Sequence, residues 1–154
     1  MKICDQYSHH KGLEKIQGKN GLLKEIKLIV THNDLTFGTT PPKEIKAAIG
    51  DRFNQKGWAD KVKVGNSNLT ISFMKSKVGV CFQIGNVART YADILKLSQL
   101  NKKRIIDAGV IIVPHKIESK LMGANYAHYD RLANELSQFS DIVSTPILVI
   151  GLSN

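Results

Sequence analysis

Two apolar runs of strand length, Ile105–Val113 and Val143–Ile150, constrain this chain more than any other feature. The second is rich in β-branched residues and reads as a buried strand, and Pro114 ends the first. Between them Tyr126, Tyr129, Leu132, Ala133 and Leu136 mark a helix. Ahead of them Val87, Tyr91, Ile94, Leu95 and Leu100 mark a longer one, which Asn86 is placed to cap. A hairpin precedes that helix. Leu69, Ile71 and Phe73 alternate with Thr70 and Ser72, the turn spans Met74–Lys77, and Val78, Val80, Phe82 and Ile84 alternate with Gly79, Cys81 and Gln83. A hairpin followed by helix, strand, helix and strand predicts an α/β fold with a mixed sheet flanked by helices. If the apolar sets share the core, Thr70, Ser72, Cys81 and Gln83 share the other face, which is polar and free of carboxylates.

The N-terminal part reads as helical over residues 12–31, with a break at Gly18–Gly21, after which Leu22, Leu23, Ile26, Ile29 and Val30 recur at helical spacing. Thr31–Asp34 is an exit and Gly38–Pro42 a loop. Pro42 is placed to open a helix through about Gln55, ended at Lys56-Gly57. No repeat or low-complexity tract divides the chain, so residues 1–154 are expected to form a single domain. Apolar residues at 42% and charged residues at 23% fit a globular protein. No apolar run approaches a membrane span, and the polar start is no signal peptide. Cys4 and Cys81 fit reduced thiols in a cytoplasm better than a disulfide framework.

Charge narrows the partner. The formal net charge is +9 and the pI about 9.6, which suits a polyanion. Residues 64–104 hold seven Lys/Arg against one acid, Asp93, whereas residues 105–154 hold three against five acids. Such asymmetry is expected of a phosphate-facing cleft, here assigned to Lys75, Lys77, Arg89 and Lys96 or Lys116; the plainer reading is a lysine-rich soluble surface.

Ordered segments across nearly the whole chain carry a family resemblance. They are Tyr7-Ser8-His9 with Gly12-Leu13-Glu14, Val78–Asn86, Tyr91-Ala92-Asp93, Ile106–Lys116 and Thr145–Leu152. In these the chain resembles the restriction endonucleases of the BglII and BstYI type. The resemblance implies a PD-(D/E)xK-type fold acting on double-stranded DNA, usually as a homodimer on a short palindrome, and Mg²⁺ as cofactor where the enzyme is active. In that subfamily the hairpin supplies an Asp within Ile-Asp-Phe and a Glu within Val-Gly-Val-Glu-Val-Gln-Phe-Gly. Here those contexts read Ile71-Ser72-Phe73 and Val78-Gly79-Val80-Cys81-Phe82-Gln83-Ile84-Gly85. Ser72 and Cys81 thus stand at the carboxylate positions, and only Gln83 is retained.

Mg²⁺ is a hard cation that takes carboxylate and water oxygens; a hydroxyl is a neutral substitute and a thiol a soft one. The expectation is therefore an impaired or inactive nuclease that binds duplex DNA, alone as a homodimer or beside a related subunit, with no metal site as written. One acid from elsewhere, such as Glu25, would not rebuild the cage. The alternatives are an active Mg²⁺-dependent endonuclease with carboxylates from other positions, and an interaction protein that keeps the fold. The segment before the last helix approaches DNA in the look-alikes, which makes Asn125, His128 and Arg131 candidates for groove contacts, with Lys116 on phosphate; a dimer contact and a solvated lysine are the rival readings. Cys81 is read as inert packing, His9-His10 as a surface pair and the Tyr126–Leu132 stripe as core.

Overall fold

The computed structural model describes residues 1–154. Six strands form one mixed sheet: β1 (Lys2–His9), β2 (Ala59–Lys63), β3 (Thr70–Lys75), β4 (Val78–Phe82), β5 (Ala108–Pro114) and β6 (Ile147–Ser153), in the order β1-β6-β5-β4-β3-β2. The centre, β4-β5-β6, is parallel, while β3, β2 and β1 are antiparallel to their neighbours. The helices are α1 (Gly12–Gln17), α2 (Leu22–Val30), α3 (Pro42–Gln55), α4 (Ala88–Lys102), α5 (Lys116–Met122) and α6 (Tyr129–Gln138). This is the expected α/β class.

Burial explains the near-continuous apolar text of the central strands. Every residue of β5 is buried, because both faces are covered. On one face Val80, Val110, Ile112 and Leu148 meet Ile26 and Ile29 of α2 and Ile45, Ile49 and Phe53 of α3. On the other, Cys81, Ile111, Val113, Ile147 and Val149 meet Ile94 and Leu97 of α4 and Leu132 and Leu136 of α6. Two glycines set the spacing beneath α4. A Cβ on Gly109 would lie 2.8 Å from Leu97 Cδ1, and one on Gly79 would lie 2.9 Å from Ile71 Cδ1. No helix is long and apolar enough to cross a membrane.

Several expected boundaries move. The β5 strand starts at Ala108, where pairing with Val78 begins, and β6 runs Ile147–Ser153, after Pro146. The last long helix starts at Tyr129, leaving Tyr126 in a loop, bridged to Asn86. Strands β1 and β2 and helix α5 had no counterpart in the sequence reading. The largest correction concerns β3. Leu69 precedes the strand and is exposed, while Ile71 packs on the α4 side and Phe73 on the α3 side. The three do not share a face; the strand changes face across Ser72.

Candidate nucleic-acid interface

That change of face shapes the site. Backbone pairing of β3 with β4 runs from Lys75–Val78 to Phe73–Val80 and then stops. At the next position the Ser72 hydroxyl takes over and accepts from the Phe82 N–H at 3.0 Å. Across the other edge, Lys61 lies between the pairs Asp60–Phe73 and Val62–Ile71 with φ at 46°, a left-handed conformation that is strained for a non-glycine residue. Both neighbours of β3 are thus irregular at Ser72, and the sheet opens there.

The opening is a cleft of about 820 Å³. One wall is Gln83, just past β4, with Arg89, Asp93 and Lys96 of α4; the other is Lys46 and Asp51 of α3 with Asp60, Lys61 and Ser72 of the outer strands. Cys81 lies beneath the floor, 2% exposed. Burial, and then the Asp93 carboxylate, push its thiol well above the ordinary range, so it is neutral at pH 7. Gln83 Nε2 donates to Asp93 Oδ2 at 2.9 Å, Lys96 Nζ lies 2.5 Å from Asp93 Oδ1, and the same ammonium donates to Thr70 O at 2.8 Å.

Ser72, Cys81 and Gln83 therefore do come together, and they come together around Asp93. The hairpin face itself holds no carboxylate; the acid beside it arrives from α4. The sequence reading named Asp93 as the single acid of residues 64–104 and within Tyr91-Ala92-Asp93 but gave it no role at the site. Lys46 stands at the mouth, where desolvation and the Arg89 guanidinium push its ammonium below the usual lysine range, against the pull of Asp93.

The other named residues lie elsewhere. Glu25 does not line the cleft. It accepts from Trp58 Nε1 at 2.7 Å and Lys75 Nζ at 2.8 Å, and although burial opposes ionisation, these bonds hold its carboxyl below the usual range. Lys75 is thereby neutralised. Lys77 lies at the opposite end of β4, around a hollow of about 470 Å³ with Lys15, Lys19, Arg104 and Asp107. Lys116, Asn125, His128 and Arg131 do meet, around a small hollow of about 100 Å³ that borders Val87 at the start of α4. Arg131 is held by Glu135 at 2.7 Å and the Tyr91 hydroxyl at 3.2 Å, and His128 Nδ1 caps α6 by accepting from the Arg131 N–H. His9 and His10 each bond a backbone carbonyl, of Val143 and Ser140. No group of three or more His, Cys, Asp or Glu side chains is arranged to hold a metal ion. The single basic cleft expected from charge is divided among separate places.

Architecture now defines the class. The chain superimposes in full on the crystal structure of restriction endonuclease BglII complexed with a DNA 16-mer, with a TM-score of 0.83, 17% identity and 77% of that chain covered. Against free BglII the TM-score is 0.78, with 21% identity and 80% of that chain covered. This is the restriction-endonuclease fold. Residues 4–152 match the family described as Restriction endonuclease BglII/BglIII, and the chain belongs to that family, whose enzymes usually use Mg²⁺. No curated protein matches the chain in sequence.

Proposed function

We propose that this chain is a single endonuclease-fold domain that binds duplex DNA in the cytoplasm and is impaired or inactive in Mg²⁺-dependent cleavage. One observation carries the reading. The carboxylate beside the Cys81 position is Asp93, and it is already occupied by Lys96 and Gln83. The remaining donors do not suit a hard cation. The Ser72 oxygen is neutral and accepts a backbone hydrogen bond, and Cys81 is a buried, protonated thiol. A site that has lost two carboxylates loses the charge that would hold a metal and activate water. It also loses the repulsion that a metal-free acidic site exerts on phosphate.

DNA binding rests on the family and on the cations at one end of the sheet. Arg89 and Lys96 line the cleft, and Lys116, Asn125, His128 and Arg131 gather on the other side of the start of α4. The two-fold logic of palindromic targets extends the reading to a homodimer, or to pairing with a related subunit. Asp51, Asp60 and Asp93 all border the cleft, and this favours, as second reading, an active Mg²⁺-dependent endonuclease with carboxylates from new positions. A random-sequence duplex library incubated with and without Mg²⁺ separates the two. Binding in EDTA without cleavage in Mg²⁺ is expected. Robust Mg²⁺-dependent cleavage, lost on changing one of those aspartates or Glu25, establishes the second reading instead.

A further inference from the structure

The Asp93–Lys96 pair has work beyond holding α4 to the sheet. We propose that the Lys96 ammonium is the resident cation of the cleft and anchors a phosphodiester group of bound DNA, in the place where a metal would otherwise be needed. This rests on the reading of the cleft as a DNA site.

Three observations lead there. The first is position. Asp93 accepts from the Gln83 amide and lies near enough to Cys81 to raise its pKa, so the ion pair stands beside the retained glutamine and one of the residues that replace the family's carboxylates. The second is valence. An ammonium has three N–H donors. Asp93 and Thr70 O take two, and the side chain, 16% exposed, borders the cleft, so one donor remains for a ligand. The third is energetic. With the Asp93 side chain only 5% exposed, the pair is largely desolvated. Replacing such a pair by apolar residues of similar size is often neutral or stabilising, so stability is a weak reason for having it. Charge around it agrees. Lys46 and Arg89 share the same opening, where desolvation first, and then the Arg89 guanidinium, push the Lys46 ammonium below its usual range. A phosphate between Lys46, Arg89 and Lys96 relieves the repulsion between Lys46 and Arg89, while Asp51 and Asp60, elsewhere on the lining, disfavour an anion beside them.

Anisotropy of a labelled duplex, at fixed salt in EDTA and in millimolar Mg²⁺, tests the assignment. Wild type should bind equally in both, within about twofold. Lys96→Met should weaken binding about tenfold or more in EDTA, by removing a buried partner of phosphate and exposing it to Asp93. It should recover part of that loss in Mg²⁺, because the freed carboxylate then attracts a cation. Lys96→Arg keeps the charge and should stay within about threefold of wild type. Asp93→Asn with Lys96→Met leaves no unpaired buried charge, so it should fold even if the single variant fails to. It should show the loss in EDTA without the recovery in Mg²⁺. Wild-type affinity in EDTA for Lys96→Met or the double variant overturns the assignment, as does a wild-type protein that needs Mg²⁺ to bind. Failure of wild type to bind at low salt under either condition removes the DNA reading of the cleft itself.

Discussion

At the scale of single residues, the site turns on where negative charge is allowed. Cys81 is enclosed by Ile94, Leu97 and Asp93, so Cys81→Glu alone sets two carboxylates side by side with one lysine between them. Removing a balanced arrangement of buried charge typically costs about 3–5 kcal/mol. That single variant should therefore melt well below wild type. Ser72→Asp combined with Cys81→Glu should be strongly non-additive with the single changes, since a metal needs both acids. Calorimetric titration should show Mg²⁺ binding by the double variant, together with a rise in its Tm on adding Mg²⁺ and weaker DNA binding in EDTA. A folded double variant that neither binds Mg²⁺ nor changes its DNA affinity contradicts this account. The two cysteines offer a second check. Both thiols have raised pKa values, but Cys4 is exposed and Cys81 buried, so iodoacetamide should label Cys4, slowly, in the native protein and Cys81 only after denaturation. Equal native labelling of both would mean that the floor of the cleft is open.

At the scale of elements, α4 carries most of the site, and its seat on the sheet is close. Gly109 faces the tip of Leu97, and the Cβ of an alanine there would be 2.8 Å from Leu97 Cδ1. Gly109→Ala should cost about 1–3 kcal/mol by overpacking, read by urea denaturation, and pairing it with Leu97→Ala should return part of that loss. A neutral effect of Gly109→Ala would show that α4 floats more freely than the geometry implies. The cap of α6 responds to acid. Burial holds the His128 pKa below 6.5, against the pull of Asp130, and only the neutral ring can accept the Arg131 N–H. The unfolded chain then binds more protons, so this contribution is full above pH 6.5 and falls away as pH drops through the lowered folded value. Buried His9 adds in the same direction. Melting temperature should decline below about pH 6.5, and less so in His128→Asn, which keeps a capping oxygen without titrating. The central strands and long helices were legible because burial on two faces, or on one stripe, leaves a period in the text. Strands β1 and β2 left none. They are edges, most of β2 is exposed, and Asp60, Lys61 and Lys63 read as loop. The face change at Ser72 was hidden too. Alternation of Leu69, Ile71 and Phe73 assumes an unbroken ladder, whereas the serine hydroxyl replaces a rung of it.

At the scale of the whole molecule, a block of positive charge in sequence is divided in space. Of the seven cations in residues 64–104, Arg89 and Lys96 border the cleft, Lys75 is tied to Glu25, and Lys77 and Arg104 sit at the far end of the sheet. Arg89 stands in the first turn of α4, a 15-residue helix, and Arg104 lies two residues beyond its end at Lys102. At 1.5 Å per residue they are about 22 Å apart. The Debye length at physiological salt is about 8 Å, so a phosphate held at one end scarcely feels a charge at the other. This separates a cleft-bound duplex from general attraction to a basic protein. Arg89→Glu should lower affinity for duplex DNA about tenfold or more and make the log–log salt dependence shallower, by about 0.9 for each phosphate that is no longer neutralised. Arg104→Glu changes net charge identically and should leave affinity within about twofold near 0.15 M salt, its effect growing only as salt is lowered and screening weakens. Salt titrations of the two variants against wild type provide the measurement. Equal losses for both at physiological salt would mean that DNA is held by net charge over the whole surface, and the cleft would then have no special claim on it.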